Sequence, residues 1–355
     1  MPTDNVSLEV GGRRIERFLS YEINADLYIA DDVFSLEVAR PEVVIAPGQK
    51  CELYVNGELE LTGIVDRCSR RFDKQGLTYR IEGRDMMGLL VDSYCEEFVT
   101  IQGKKLSELA QMLLKKVPFI NREKIVYQED VVGKLKGKKK TVDEPMVGYM
   151  DTPQKIGQIE PGMTVFEVLK NYAASRGLMF WAEPDGTFVF GRPKLKGEPV
   201  YDLTNLKSGQ GNNVLEGEEN NDISRRYSKV VVIGQQQGSD DLDGPEAINT
   251  RAEAVDEEFP FYKPYVATDN NDAQSPALHA RFIMEQQRHE GYQLIYTVQG
   301  HGQRGRNWQI NELCRVRDED LGIDKVCLIY GRTFRRSKSG GTTTSLKLGK
   351  PGVVI

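Results

Sequence analysis

Gly63-Ile-Val-Asp-Arg-Cys-Ser-Arg-Arg-Phe72 and Cys327-Leu-Ile-Tyr-Gly-Arg-Thr-Phe-Arg-Arg336 carry the pattern that decides the fold. Each is a strand that ends in a basic and aromatic approach to a turn. Each runs on through a glycine-containing hairpin, Lys74-Gln-Gly76 or Lys338-Ser-Gly-Gly341, into a last alternating strand, Leu77 to Ile81 or Thr342 to Leu348. Each is preceded by a turn and a Cys-containing strand. The likeness is weak in letters but ordered, and it implies two copies of one β-module in the chain. A protomer with two like modules presents twice its own symmetry to a partner ring, so a trimer matches a hexamer.

Around the first copy, the opening ~90 residues alternate apolar and polar positions, as in Ser7-Leu-Glu-Val10 and Phe34-Ser-Leu-Glu-Val38, which predicts antiparallel strands. Asn56-Gly57 between Leu53-Tyr-Val55 and Leu59-Glu-Leu61 predicts a type I′ hairpin, because both residues tolerate positive φ. A small barrel or curled sheet is expected to close here. Leu106, Leu109, Leu113 and Val117 share one helical face, and Pro118 stops that helix. Thr164-Val-Phe-Glu167 is a capping-box pattern that opens a second helix, ended by Gly177. Phe180-Trp181 and Phe188-Val-Phe190 then pair across a turn at Asp185-Gly186. A third helix follows Ser275 and Pro276, and alternation resumes at Leu294 to Val298. The turn residues singled out are Asn56, Gly57, Asp185, Gly186, Gly340 and Gly341.

The expected division is a first β-barrel over 1–93 and an α+β domain over 94–200, with helices near 104–117 and 164–176. A second barrel is drawn from 201–237 and 292–350, with an acidic loop and helix over 238–291 inserted in it. The fold class expected is therefore mainly β, two related antiparallel barrels plus a small α+β domain.

Composition narrows the function classes. The chain has 355 residues, 39% hydrophobic and 28% charged, enough for more than one core. Its apolar runs are far shorter than a membrane span, and no signal-peptide pattern opens it, so synthesis in the cytosol without a membrane anchor is expected. A net charge of −6 argues against a dedicated nucleic-acid binder. Cys51, Cys68, Cys95, Cys314 and Cys327 stand singly, with no CxxC pair, as reduced and partly buried thiols do.

Candidate chemistry is thin. Gly300-His-Gly-Gln-Arg-Gly305 has the GxGxxG spacing, but Arg306-Asn-Trp-Gln-Ile offers no amphipathic helix to aim at a pyrophosphate. His279, His289 and His301 lack ligand spacing. Asp240-Asp-Leu-Asp-Gly244 resembles a calcium loop, yet Ser239 and Thr250 stand where its end ligands belong. The Lys134 to Lys140 run reads as a solvated loop, with phosphate binding as a side hypothesis. There is no GxSxG elbow, and Trp181 and Trp308 read as core or interface anchors before sugar platforms. No catalytic, cofactor or metal site is read, and the chain is not expected to be an enzyme.

Ordered strings extend along nearly the whole chain. They include Val10-Gly-Gly-Arg13, Ile45-Ala-Pro-Gly-Gln49, Leu61-Thr-Gly-Ile-Val65 and Glu82-Gly-Arg-Asp85. In the middle stand Ile159 to Leu169, Asp185 to Val189, Gly211 to Val214, Asp222 to Arg225 and Val232 to Gln235. Trp308 to Asn311, Val316 to Asp318, Leu321 to Asp324 and Gly341 to Leu346 close the series. In this order they resemble the central baseplate hub proteins of Mu-like contractile-tail phages and prophages, within the late control protein D family. The resemblance implies tube-protein-like barrels and a homotrimeric, pseudo-sixfold ring in the virion's tail baseplate. Its implied partners are the hexameric tail tube protein, the trimeric spike protein and other baseplate proteins, with DNA only in transit through the channel. Two readings stand beside it. One is the hub of a type VI secretion or other phage-derived injection device; the other is a cell-wall-degrading or glycan-binding baseplate component. The Lys134–Lys140 loop and the Ser239–Glu258 stretch carry no motif of the family.

Overall fold

The computed structural model describes residues 4–39, 45–74, 76–117, 120, 124–128, 158–174, 177–234, 250–269, 276–337 and 340–354. The Lys134–Lys140 run, the Asp240–Gly244 stretch, Pro118 and Ser275 lie outside them.

The first module is β1 (Val6–Val10), β2 (Arg13–Ile15), β3 (Ser20–Asp26), β4 (Val33–Ala39), β5 (Lys50–Val55), β6 (Glu58–Asp73) and β7 (Gly76–Asp85). Alternation sets its inner face: Tyr21, Ile23, Phe34, Leu36 and Val38 are buried while the residues between them are not. Asn56 and Gly57, at φ 51° and 83°, turn β5 into β6.

Next come α1 (Met87–Asp92), β8 (Val99–Thr100), α2 (Leu106–Leu114), β9 (Ile125–Tyr127), β10 (Gln158–Ile159), α3 (Val165–Ala174), β11 (Met179–Ala182) and β12 (Phe188–Gly191). Thr164 and Glu167 make the reciprocal cap that opens α3, at 2.9 and 3.1 Å. The apolar faces of α2 and α3 share a core with Phe180 and Phe190, whose rings stack 4.4 Å apart. At the β11–β12 turn Asp185 accepts the Thr187 amide at 2.9 Å and Gly186 has φ 81°.

The remainder is β13 (Tyr201–Asn205), β14 (Val214–Asn221), β15 (Lys229–Gly234), β16 (Thr250–Val255), β17 (Pro264–Asp269), α4 (Pro276–Glu290), β18 (Tyr292–Gln299), β19 (Gly302–Gln303), β20 (Arg306–Asn307), β21 (Glu312–Asp318), β22 (Ile323–Ser337) and β23 (Gly341–Gly349). β15, β16 and β17 form a three-stranded sheet of their own, and α4 packs Ala280 and Met284 on Val230 and Val232. Buried Asp256 ties that unit together, accepting from Arg226 at 2.9 Å and from Arg288.

The expected pair of closed barrels is not what the hydrogen bonds build. Thirteen strands make one open sheet in the order β14-β18-β23-β22-β3-β4-β7-β6-β5-β1-β2, with β21 and β13 branching from β22. The physical reason lies in β22, whose outer half pairs with β3 of the first module and so splices two sheets instead of closing one. The cores merge accordingly: Phe34 and Leu36 belong to the same cluster as Tyr296, Phe334 and Leu346.

The duplication is explicit in the pairing. β3-β4-β7-β6-β5 and β14-β18-β23-β22-β21 follow the same order. The long strands β6 and β22 carry their bulges at Val65/Arg67 and Ile329/Gly331, the same place when the two sequence copies are superposed. The hairpins beyond them end on the pairs Asp73/Gly76 and Ser337/Gly341.

Candidate assembly interface

The splice between the modules is an antiparallel ladder running from Gly331 opposite Asp26 to Arg336 opposite Tyr21. On its polar face the Thr333 hydroxyl donates to Asn24 at 2.7 Å and Arg335 donates to Glu22 at 3.0 Å. Lys347 reaches Asp26 at 3.0 Å. On the opposite face Ile23 and Phe334 are buried in the shared core.

Behind the ladder sits a buried polar lock. Arg332 donates to Glu60 at 2.7 Å and to the Trp308 carbonyl at 2.6 Å, and its guanidinium lies 4.0 Å from the Phe334 ring centre. The side chains of Arg332 and Glu60 are 2% and 0% exposed, so each charge depends on the other. Asn307 adds donors to Glu60 at 2.6 Å and to the Val55 carbonyl at 2.8 Å. The β5–β6 hairpin, whose Asn56 also donates to Asn307, is thereby clamped on the second module. His301 completes the lock between Tyr21 at 2.7 Å and Thr344 at 3.1 Å. Burial pushes its imidazole down to about 4.

The polar side of the large sheet is a hollow lined by Glu22, Asn24, Ser35, Glu82, Arg84 and Arg335, among others. Arg84 bridges Asp66 at 2.7 Å and Asp31 at 3.3 Å, and its hydrogen bonds to Asp66 and Asp92 hold the guanidinium more strongly basic than usual. The hydrogen bond from Arg84 in turn keeps the Asp92 carboxyl below its ordinary range.

Among the strand edges without a ladder partner in the described residues are those of the outer half of β6 and of β14. β6 pairs with β5 only as far as Ile64, which leaves one side of Arg67 to Phe72 open, and Phe72 is 84% exposed there. β14 ends the sheet, with Leu215 to Asn221 exposed.

The other sequence candidates fall apart from one another. Gly300 and Gly305, at φ 76° and 78°, shape the turns around β19 and β20, and strand follows where a dinucleotide site needs a helix. His279 and His289 both lie on α4, and the described residues include no cluster of three or more metal-ligating side chains. Trp181 and Trp308 are buried, 7% and 2% exposed. Burial raises the Cys51 thiol to about 12, far from a reactive thiolate. Gly341 takes φ 68° to start β23, and the Gly340 amide donates to the Ser337 hydroxyl at 2.9 Å. The arrangement joins the sheets of the two modules. Sequence reading did not single out the β3–β22 splice; the visible signal was polar alternation in Glu22-Ile-Asn24 and Thr333-Phe-Arg335 with matching partners.

Three family models match the chain. They are the N-terminal domain of the Mu phage baseplate assembly protein GpP-like family over residues 5–85, the third domain of NMB1110-like tail proteins over 226–281, and a tail protein C-terminal domain over 286–353. Together they take in more than half of the chain. The baseplate hub protein gp44 of Escherichia phage Mu is 22% identical over 348 residues, spanning 92% of this chain and 84% of that protein. This chain belongs to the Mu-like baseplate hub proteins. Among solved structures, the tail protein from Neisseria meningitidis MC58 is similar at TM-score 0.80 and 26% identity, covering 99% of this chain and 98% of that one. The 43 kDa tail protein of prophage MuSo2 from Shewanella oneidensis shares the fold at TM-score 0.76 and 22% identity, over 98% of both chains. The hub chain is thus a phage baseplate tail protein, and none of its described helices is long and apolar enough to cross a membrane.

Proposed function

We propose that three copies of this chain close into a ring of six like modules that serves as the central hub of a contractile-tail baseplate in the virion. The ring joins a hexameric tail tube to a trimeric spike and leaves a channel for DNA. One observation carries the reading: two modules of the same strand order are already spliced edge to edge inside one chain, which makes a single protomer one third of a sixfold circle. The modules are drawn from 1–93 and from 201–237 with 292–350, except that β15 (Lys229–Gly234) leaves the second module to form a separate unit with β16, β17 and α4.

The polar hollow, with carboxylates and guanidiniums interleaved, is the face turned to the channel, where a mixed-sign lining does not retain phosphate. The role is structural, without catalysis. A glycan-binding reading needs exposed aromatic platforms, and burial of Trp181 and Trp308 removes the two named for it.

Light scattering of the purified chain across a concentration series, with negative-stain images of the largest species, tests the proposal. A three-copy ring with an open centre is expected. Open filaments, or a closed two-copy species as the end state, would overturn it.

A further inference from the structure

We propose that the hub chain assembles by pairing the open edge of β6 with β14 of a second copy, in the register of the internal β3–β22 ladder. The inference rests on the ring reading for the number of copies; the pairing itself comes from the duplication.

Superposing the modules through their ladders fixes every partner. β6 and β22 share their bulge, so Ser69, Arg70 and Arg71 correspond to Thr333, Phe334 and Arg335. On the other side, Leu36 faces Ile81 and Tyr21, while Tyr296 faces Leu346 and Gly217. Glu22, Ile23 and Asn24 therefore correspond to Glu218, Glu219 and Asn220. Within the chain, Thr333 meets Asn24 and Arg335 meets Glu22. Carried over, Ser69 meets Asn220, Arg70 meets Glu219 and Arg71 meets Glu218 of the neighbour, with Arg67 at one end facing Asp222. The chemistry of the polar pairs is kept: hydroxyl against amide, guanidinium against carboxylate.

Both edges are open and exposed, and their charges select the partner. The β6 edge carries Arg67, Arg70 and Arg71; β14 carries Glu216, Glu218 and Glu219. Neither Arg71 nor Glu218 has an ion-pair partner among the described residues. Two β6 edges repel each other, as do two β14 edges, while β6 attracts β14. That excludes an isologous dimer and selects a head-to-tail contact, the kind that closes into rings. The one apolar pair of the internal ladder, Ile23 with Phe334, is exchanged for Glu219 with Arg70. An edge exposed in the free chain is thereby kept soluble.

Two measurements test this. The Ser69→Cys/Asn220→Cys variant, mildly oxidised at assembling concentration, should give disulfide-linked multimers on a non-reducing gel. Ser69→Cys/Glu219→Cys, one residue out of register and on opposite faces, should not. In parallel, Arg71→Glu should shift the assembly midpoint at least about tenfold to higher concentration, and Arg71→Glu/Glu218→Arg should restore it. Circular dichroism melts of these surface variants separate assembly from folding. A three-copy ring that forms without the 69–220 link, with Arg71→Glu assembling as the parent does, overturns this pairing and leaves the hub reading intact. A chain that stays monomeric at all concentrations and never cross-links overturns both.

Discussion

β3 and β14 hold the same place in their modules and meet opposite fates. β3 has a neighbour on each side, and its Ile23 is 1% exposed; β14 has one neighbour, and Leu215, next to the start of the strand, is 59% exposed. The polar residues Glu22 and Asn24 recur as Glu218 and Asn220, while the apolar Ile23 gives way to Glu219. Topology and polar register therefore belong to the ladder itself, and burial of an apolar pair belongs to the junction that never opens. A strand whose partner arrives late is written with charge where its sister is written with hydrocarbon.

The comparison is broken most severely at the lock. Arg332→Ala strands Glu60 in a closed interior, and should cost about 3–5 kcal/mol in denaturant unfolding. The corresponding Cys68 is only partly buried, and Cys68→Ala should fall within about 0.5–1 kcal/mol. Equal losses at the two positions would contradict a single built junction per chain. Next in size, Phe334→Ala should remove about 3–4 kcal/mol, whereas Arg70→Ala in the unassembled chain should change stability by less than about 0.5 kcal/mol.

Acid sharpens the same contrast. His301 titrates near 4 when folded and near 6.5 when unfolded, so the unfolded state binds the extra proton between those values. Stability from this group is complete above pH 6.5 and is lost as pH falls toward 4, by about 2 kcal/mol at pH 5. Urea midpoints at pH 7.5 and pH 5 should differ accordingly, and His301→Gln should flatten the difference. At the β5–β6 turn, Gly57→Ala, forced to φ 83°, should cost about 1–2 kcal/mol, less than either lock or core variant.

Much of this was legible in the chain. Period-two alternation and the Asn56-Gly57 pair gave the strands and their first turn, and Thr164 with Glu167 announced α3, because those signals are local. The two aligned segments, Gly63 to Phe72 and Cys327 to Arg336, disclosed the duplication. What stayed hidden was long-range. Closed barrels were expected because alternation says which face is buried and nothing about which strand lies alongside. The β3–β22 ladder joins residues some three hundred positions apart, and the partners of Arg332 come from the distant Glu60 and Trp308. The candidate interface was legible only as clustered opposite charge in Arg70-Arg71 and Glu218-Glu219, of which Glu219 is held within the chain by the Tyr292 hydroxyl.

Amide hydrogen exchange on the chain below and above its assembly concentration tests most directly the claim that the internal ladder is the template for assembly. The amides of 67–72 and 217–222 that point away from β7 and β18 should exchange fast in the free chain and slow together on assembly, while 331–336 stay protected throughout. Assembly that leaves 67–72 and 217–222 unprotected, and protects some other surface, would contradict it.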